Sequence, residues 1–492
     1  MAIPKIMGSE TEYGIIVPGS PESSPVLTSS LLVDAFAGSN RRVLWDYAGE
    51  SPLRDARGFD MPGREGYLDE EMRPADVVLS NGGRFYVDHA HPEYSTPECA
   101  DALELVRFDK AGERTLAMAA DRAFELTGTR VVVYKNNTDG KGSSYGTHEN
   151  YLVSRATPFE RITRDFMSFL VSRQIICGAG LLGRGSDGSR PDFRLSQRAD
   201  FFEQQVGLET TANRPIINTR DEPHADPEKY RRLHVIAGDA NMCEVASFLK
   251  FGTAALTLGM IEDDAVGEGL ALRSPVAALH AISRDPFLKE RFALADGREV
   301  RAIDLQWAYF ERAKSYLQRR EVDPVTAEVV SRWEGVLTRL GQDPSCLMRE
   351  LDWVAKLSLL TAMRERDGLN WNHPKLHMAD LQYHDVRRDR GLYYRLEAAG
   401  RIERMVGESE IARAVEDPPL TTRAYFRGRC VAKYPKAVAA VGWDAIVFDT
   451  GETALKRVPM AEPGRGGRSQ VGDLLDACEE AGDLVDALSR LD

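Results

Sequence analysis

The sequence predicts an α+β protein, and three observations carry that prediction. Alternating, strand-like segments recur through the first half of the chain, segments of helical periodicity dominate residues 270–405, and short strands and a helix return beyond the double proline at 418–419. The 492 residues are 43% hydrophobic, enough for a large core, and carry a formal charge of −13. Net acidity argues against a protein that coats nucleic acid, because such binding rests on clustered Lys and Arg. Six cysteines (Cys99, Cys177, Cys243, Cys346, Cys430, Cys478) are scattered without a C-x-x-C pair. That pattern predicts neither a disulfide framework nor a thiolate zinc site, and points to a reducing, cytoplasmic setting. The opening "MAIPKIMGSETEYG" reaches Glu10 before an apolar signal region can form, and no run reads as long enough to span a bilayer. Neither export nor membrane insertion is expected.

Taken in order, "KIMGSETEYGII" alternates so that Glu10 and Glu12 share a face with Gly8 and Gly14. Two carboxylates side by side repel unless cations or donors sit against them. Residues 38–82, including "DARGFDMPGREGYLDEEMRP", read as a long loop inserted between two strands, at about 38–80. In "RFYVDHAHPEYSTP", Arg84, Tyr86 and Asp88 face one way while Phe85 and Val87 face the other. "RVVVYKNNTDGKGSSYGTHENYLV" reads as strand, polar loop, strand, with His148 and Asn150 on one face. "TPFERITRDFMSFLVSRQII" begins a helix in which Thr157 caps, Pro158 takes the first helical position and Glu160 completes a capping box. "PIINTRDEPHAD" and "RRLHVIAGDANMCE" add Arg220, Asp221, Glu222, His224, Arg232 and His234 in two more strand-like stretches. "EDPPLTTR" then marks a boundary, predicting a catalytic domain over 1–415 and a small C-terminal domain over 416–492. The latter holds the strand "WDAIVFD" and one helix through Val471, Leu474, Leu475, Cys478, Ala481 and Val485.

Common motifs do not account for these polar faces. "GAGLLG" at 178–183 matches a dinucleotide fingerprint by letters, but it follows a helix and leads into "RGSDGSRPDF", which cannot open one. "NNTDGKGSS" lacks the residues of a phosphate loop, "HENYL" lacks the second histidine of a zincin, and no Ser-centred elbow occurs. The remaining set is of Glu, Asp, Asn, His and Arg on strand faces. Hard oxygen ligands of that kind suit Mg²⁺, and arginines suit phosphate oxygens, so ATP with magnesium is the occupant the residues predict.

Six segments make a resemblance specific. "IMGSETEYG", "NGGRFYVDHAHPEYSTPE", "YKNNTDGKGSSYGTHENYL", "LSQRADF", "IINTRDEPHADPEKYRRLHVIAGDANM" and "TTRAYFRG", in this order, resemble the enzymes that act on the prokaryotic ubiquitin-like protein Pup. That family has a ligase arm, which uses ATP to join the C-terminal glutamate of Pup to a substrate lysine through a γ-glutamyl phosphate. A second arm deamidates the C-terminal glutamine of Pup and cleaves Pup from its conjugates. The long insertion and the connection "DHAHPEYS", one residue shorter than in the ligase arm, resemble the second arm. The resemblance implies a glutamine-synthetase-like fold, with a curved, largely antiparallel sheet cradling ATP, helices behind it and a small domain at one end. It implies Pup and pupylated proteins as partners, a link to the bacterial proteasome pathway, and a nucleotide that is required but not consumed. By residue it implies magnesium at Glu10, Tyr86 and Glu93, ATP at Arg84, Thr96 and Trp443, and the catalytic carboxylate at Asp88. Face and composition add His148 to the metal set and Arg220 and Arg232 to the nucleotide set, while Glu12, Asn150, Arg198 and His234 lie on similar polar stretches. Glu222 and His224 read equally well as residues that hold a loop.

Overall fold

The computed structural model describes residues 2–20, 22–37, 43–58, 75–140, 142–184 and 188–490. Its centre is a sheet whose strands, numbered here in chain order, are β1 (Met7–Glu12), β2 (Asp76–Val78), β3 (Arg84–Asp88), β4 (His91–Ser95), β5 (Thr147–Ser154) and β6 (Tyr230–Val235). They lie in the order β6-β5-β1-β4-β3-β2, every neighbouring pair antiparallel. The α+β class expected from the alternation and the largely antiparallel sheet implied by the resemblance are therefore both observed. A parallel pairing does occur outside this sheet, between Phe202–Gly207 and Arg214–Asn218.

Alternation sends the apolar set of each strand to one side. Phe85, Val87 and Tyr94 meet the helices Pro25–Ala37 and Ala102–Thr127, and Tyr151, Val153, Leu233 and Val235 meet Phe159–Ser172 and Glu244–Glu262. Each large side chain removed from water contributes about 1.5–3 kcal/mol, so this face holds the layers together. Close approach requires Gly112, where a Cβ would meet the Tyr94 ring at 2.5 Å. The other face carries polar and charged groups.

Several local expectations need correction. The helix after "TP" starts at Phe159 with Pro158 at the N-cap, and no side chain caps it, so the Thr157–Glu160 box does not form. The helix Pro25–Ala37 is not expected from periodicity, because Thr and Ser interrupt its apolar residues. The single C-terminal helix is two, Arg468–Ala477 and Ala481–Leu488, broken at Cys478–Glu480. Arg220, Asp221, Glu222 and His224 follow the strand Arg214–Asn218 rather than lying within it. The helix Glu244–Glu262 is long and apolar enough, by length and composition, to cross a membrane, contrary to the reading of the sequence; 89% of that window is buried inside the protein, as in a core helix.

The inserted segment is not all loop. Residues 38–42 and 59–74 lie outside the described residues, but Leu44–Trp45 forms a strand and Asp76–Val78 is β2 itself. Leu44–Trp45 pairs in parallel with Val438–Val441, the third member of a sheet with Ala445–Phe448 and Lys456–Pro459. A separate apolar cluster there joins Trp45 and Val78 to Tyr425, Phe426, Ile446, Phe448 and Leu484. This small unit is fastened to the central sheet by Glu98, which accepts from Arg423 Nε at 2.7 Å and Arg427 Nη1 at 3.1 Å. Burial pushes the Glu98 carboxyl up, but the two guanidinium groups outweigh it and hold the group at about 2.

Candidate active site

Register assembles the polar face. Across the sheet, Glu10 stands opposite Ser95 on β4 and His148 on β5, Glu12 opposite Glu93, and Glu93 opposite Tyr86. Asn150 pairs with His234, Arg232 with Leu152, Arg84 with Ser95, and Asp88 with His91. Directly opposed residues project to the same side, so strands distant in sequence place their charges in one field. Gly146 leaves room for this packing, since a Cβ there would meet His148 Nε2 at 2.4 Å.

Two clusters sit side by side on that face. In the first, Glu10, His148 and His234 bring ligand atoms within 4.8 Å of one another. Asn150 Nδ2 donates to Glu10 Oε1 at 3.0 Å, and Arg232 Nη1 lies 3.4 Å from the same oxygen. Burial works to raise the Glu10 carboxyl, yet His148, 3.4 Å away, and the charge of Arg232 hold it well below the usual carboxylate range. Burial keeps the His234 imidazole well below its ordinary value, and thus neutral. Its Nδ1 lies 3.0 Å from Asn150 Oδ1, to which it donates. That leaves the lone pair on His234 Nε2, which is buried without a hydrogen-bond partner. In the second cluster Glu12, Asp88 and Glu93 crowd three carboxylates within the same 4.8 Å. Burial raises the Glu93 carboxyl well above its ordinary value, and the charges of Asp88, Glu12 and Glu10 add to the effect, although Tyr86 Oη donates to it at 2.5 Å. An uncompensated neutral nitrogen and an uncompensated carboxylate group are what a bound cation would satisfy.

A cavity opens beside the first cluster. Glu10, Thr96, Arg232 and Trp443 line it, and Ile6, Leu152 and Pro463 give it apolar walls. Thr96 is fixed by accepting from the Ser9 N–H at 3.0 Å. Trp443 comes from the small unit, edge-on to Trp45 at 5.1 Å and beneath the Arg427 guanidinium at 4.9 Å. A second cavity, beside the second cluster, is lined by Asp88, His89, Glu12, His148, Arg198 and Arg214. One cavity is largely apolar, with Arg232 and Arg423 in its lining; the other is polar and contains the least buried carboxylate of the cluster.

Nearly all the residues singled out from the sequence come together here. Arg84 stands apart: it lines neither cavity, its guanidinium lies between the Trp45 and Tyr86 rings at 4.0 Å from each, and it donates to Asp76 and to Tyr47 Oη at 3.0 Å. Arg220 sits beside Arg232, Glu10 and Asp88, and has no carboxylate ion pair among the described residues. Burial and Arg232 lower its pKa. Glu222 holds a loop, accepting from Arg232 Nη2 at 3.2 Å and from the Ser51 N–H of the inserted segment at 2.5 Å. His224 and Pro223 line the first cavity instead. Arg198 has the most unusual setting. It is 2% exposed, bonds the Ile236 carbonyl at 2.6 Å, leaves Nε without a partner, and has no carboxylate partner among the described residues. Burial, then the neighbouring Arg214, brings it down to about 10. No periodic signal marks it, since it stands at the turn before Ala199–Phe201 rather than on a strand.

A face of carboxylates and imidazoles on an antiparallel sheet, flanked by one largely apolar cavity and one polar cavity, defines an enzyme whose acid–base groups open onto both. Within that class the chain belongs to the Pup-ligase protein family, whose model matches residues 5–447. It is 54% identical over 499 residues to a depupylase of Acidothermus cellulolyticus, covering 99% of each chain. It is 50% identical over 496 residues to a Pup deamidase/depupylase of Mycolicibacterium smegmatis, covering 99% of this chain and 100% of the relative. Identity to a Pup–protein ligase of Acidimicrobium ferrooxidans is 44% over 398 residues, 80% of this chain and 87% of that one. Among solved structures, the complex of Pup with its ligase PafA superimposes with a TM-score of 0.82 at 32% identity, covering 99% of this chain and 95% of that one. PafA bound to ADP gives 0.75 at 35% identity, covering 85% and 96%.

Proposed function

We propose that this protein deamidates the C-terminal glutamine of Pup and hydrolyses the isopeptide bond between Pup and lysines of pupylated proteins, with ATP as a bound cofactor. One observation carries the chemistry: Asp88 is at the open edge of a buried carboxylate cluster and faces a polar cavity separate from the apolar one. The 50–54% identity to depupylases over 99% of this chain supports the hydrolytic arm over the ligase arm. Six free cysteines suit the reducing, cytoplasmic setting in which we place the protein.

The adenine ring would fit between Trp443 and the apolar wall, with Thr96 beside it, and the phosphates would reach Arg232 and Arg220. Arg84, tied to Asp76, would contribute through Nη1, which makes no hydrogen bond among the described residues. Glu10, Glu93, His148 and the Tyr86 position would hold Mg²⁺, joined by His234, whose buried Nε2 has no hydrogen-bond partner among the described residues. When bound, magnesium would supply positive charge beside a developing oxyanion.

Asp88 then acts on the γ-carboxamide carbon of the terminal Pup side chain. It either attacks directly, forming a mixed anhydride, or takes the proton of an attacking water; ¹⁸O from solvent appears in Asp88 only by the first route. Burial pushes the Asp88 carboxyl up, but His89 outweighs that push, so the group is ionised and ready for either role. Arg198, buried and unneutralised, would face the oxygen on which charge accumulates. The direct test is mass spectrometry of Pup-glutamine and of a Pup conjugate incubated with the protein and Mg·ATP, with ADP measured in the same tube. Loss of ammonia and release of Pup without matching ADP support the reading. ADP rising in step with new conjugate identifies the ligase arm instead.

A further inference from the structure

Asp88 ends β3 and His91 begins β4, so only His89 and Ala90 turn the chain between them. His89 makes that tight connection with a backbone φ of +51°, in the left-handed region that side chains rarely adopt. Five non-glycine residues share positive φ among those described, and two of them, His89 and His224, line the two cavities. Strain retained at a site is characteristic of groups held for a purpose. Here the turn sets His89 Nδ1 3.1 Å from Asp88 Oδ2 while leaving its side chain 67% exposed. A histidine kept only for packing has no reason to stand so open.

We infer that His89 is the general acid that protonates the nitrogen leaving the Pup carboxamide or isopeptide. The inference rests on the hydrolytic reading given above. A lysine amine cannot depart as an amide anion, so hydrolysis needs a proton delivered to that nitrogen as the C–N bond breaks. The other imidazoles and the phenol lining the cavity are committed. His91 Nδ1 is 3.2 Å from the Tyr13 carbonyl, His148 is engaged with Glu10, and Tyr145 donates to Asn136 at 2.5 Å. Arg198 and Arg214 do not release protons readily enough to serve. His89 faces Asp88 and Glu12, and the Asp88 carboxylate beside it raises its pKa, which keeps more of it charged near neutrality.

In the step itself, an oxygen of Asp88 or of water forms the new C–O bond to the amide carbon. The electron pair of the C–N bond goes to nitrogen, which takes the proton from His89 Nε2 and leaves as ammonia or as the lysine amine. The now neutral His89 recovers a proton from the water consumed in completing hydrolysis, and carboxylate and amine are the products.

The test compares two leaving groups in the presence of saturating Mg·ATP. One substrate is a Pup–lysine isopeptide conjugate; the other is Pup whose terminal glutamate carries an aryl amide at the γ-carboxyl, a weakly basic amine that departs with little help. His89→Asn tolerates the left-handed backbone and His89→Gly relieves it, so both keep the turn. Both variants are expected to lose about 10²-fold on the isopeptide, with a loss on the aryl amide smaller by at least about tenfold. Equal losses on both substrates, or undiminished isopeptide cleavage, overturn the role of His89. If the unaltered protein cleaves neither substrate, the hydrolytic reading falls with it, and the two failures are thereby told apart.

Discussion

At the scale of the residue, the site is a balance of charges that the bare protein leaves unsettled. Glu93 is buried against two further carboxylates, so either holding its charge or taking up a proton costs the fold stability. Glu93→Gln removes that cost and is expected to raise the melting temperature of nucleotide-free protein by about 1–3 °C. The same variant should lose most of the thermal shift that Mg·ATP gives the unaltered protein, and scanning calorimetry with and without Mg·ATP checks both. Residues on regular strands are legible for a simple reason. Period-two alternation puts Arg84, Tyr86 and Asp88 on a common face from residue order alone, and the same holds for Glu10 and Glu12. Arg198 and His224 are not, because each sits on irregular backbone where side-chain direction follows from tertiary contacts alone.

Elements add a mechanical constraint, since the apolar cavity is completed by Trp443, which adjoins the small sheet. The Glu98 bridge to Arg423 and Arg427 fixes that sheet in place. Glu98→Ala leaves two buried guanidinium groups uncompensated, and is expected to cost about 3–5 kcal/mol at pH 7 in urea titrations. The pH dependence has a definite sign. The folded carboxyl is held at about 2, whereas an unfolded glutamate titrates near ~4.3. Its stabilisation is therefore complete above about pH 4.3 and is lost as pH falls towards 2, so the gap between Glu98→Ala and the unaltered protein narrows over that window. Trp45 offers a second lever. It lines neither cavity but supports Trp443 edge-on, so Trp45→Ala should weaken ATP binding by about three- to tenfold, measured by calorimetric titration. Element type is legible where periodicity is long, as in β5. Short pieces such as Leu44–Trp45 are not, because a two-residue strand has no period and exists only through its pairing with Val438–Val441.

Over the whole molecule, strands drawn from residues 7 to 235 converge on one polar face, and helices on the opposite face stabilise the sheet enough to tolerate that concentration of charge. The α+β class follows from local patterns, but strand order does not: β1 lies between β4 and β5, an arrangement that no local pattern encodes. The idiosyncratic segments around Glu10, Asp88 and His148 supply that missing information through family resemblance. The central claim is that the apolar cavity holds nucleotide while Asp88, on the neighbouring side, opens the glutaminyl amide. Asp88→Asn tests it most directly, by measuring ATP affinity and the conversion of Pup-glutamine to Pup-glutamate on the same preparation. The claim predicts ATP binding close to that of the unaltered protein with no glutamate product above the uncatalysed background. Normal conversion by Asp88→Asn would contradict it.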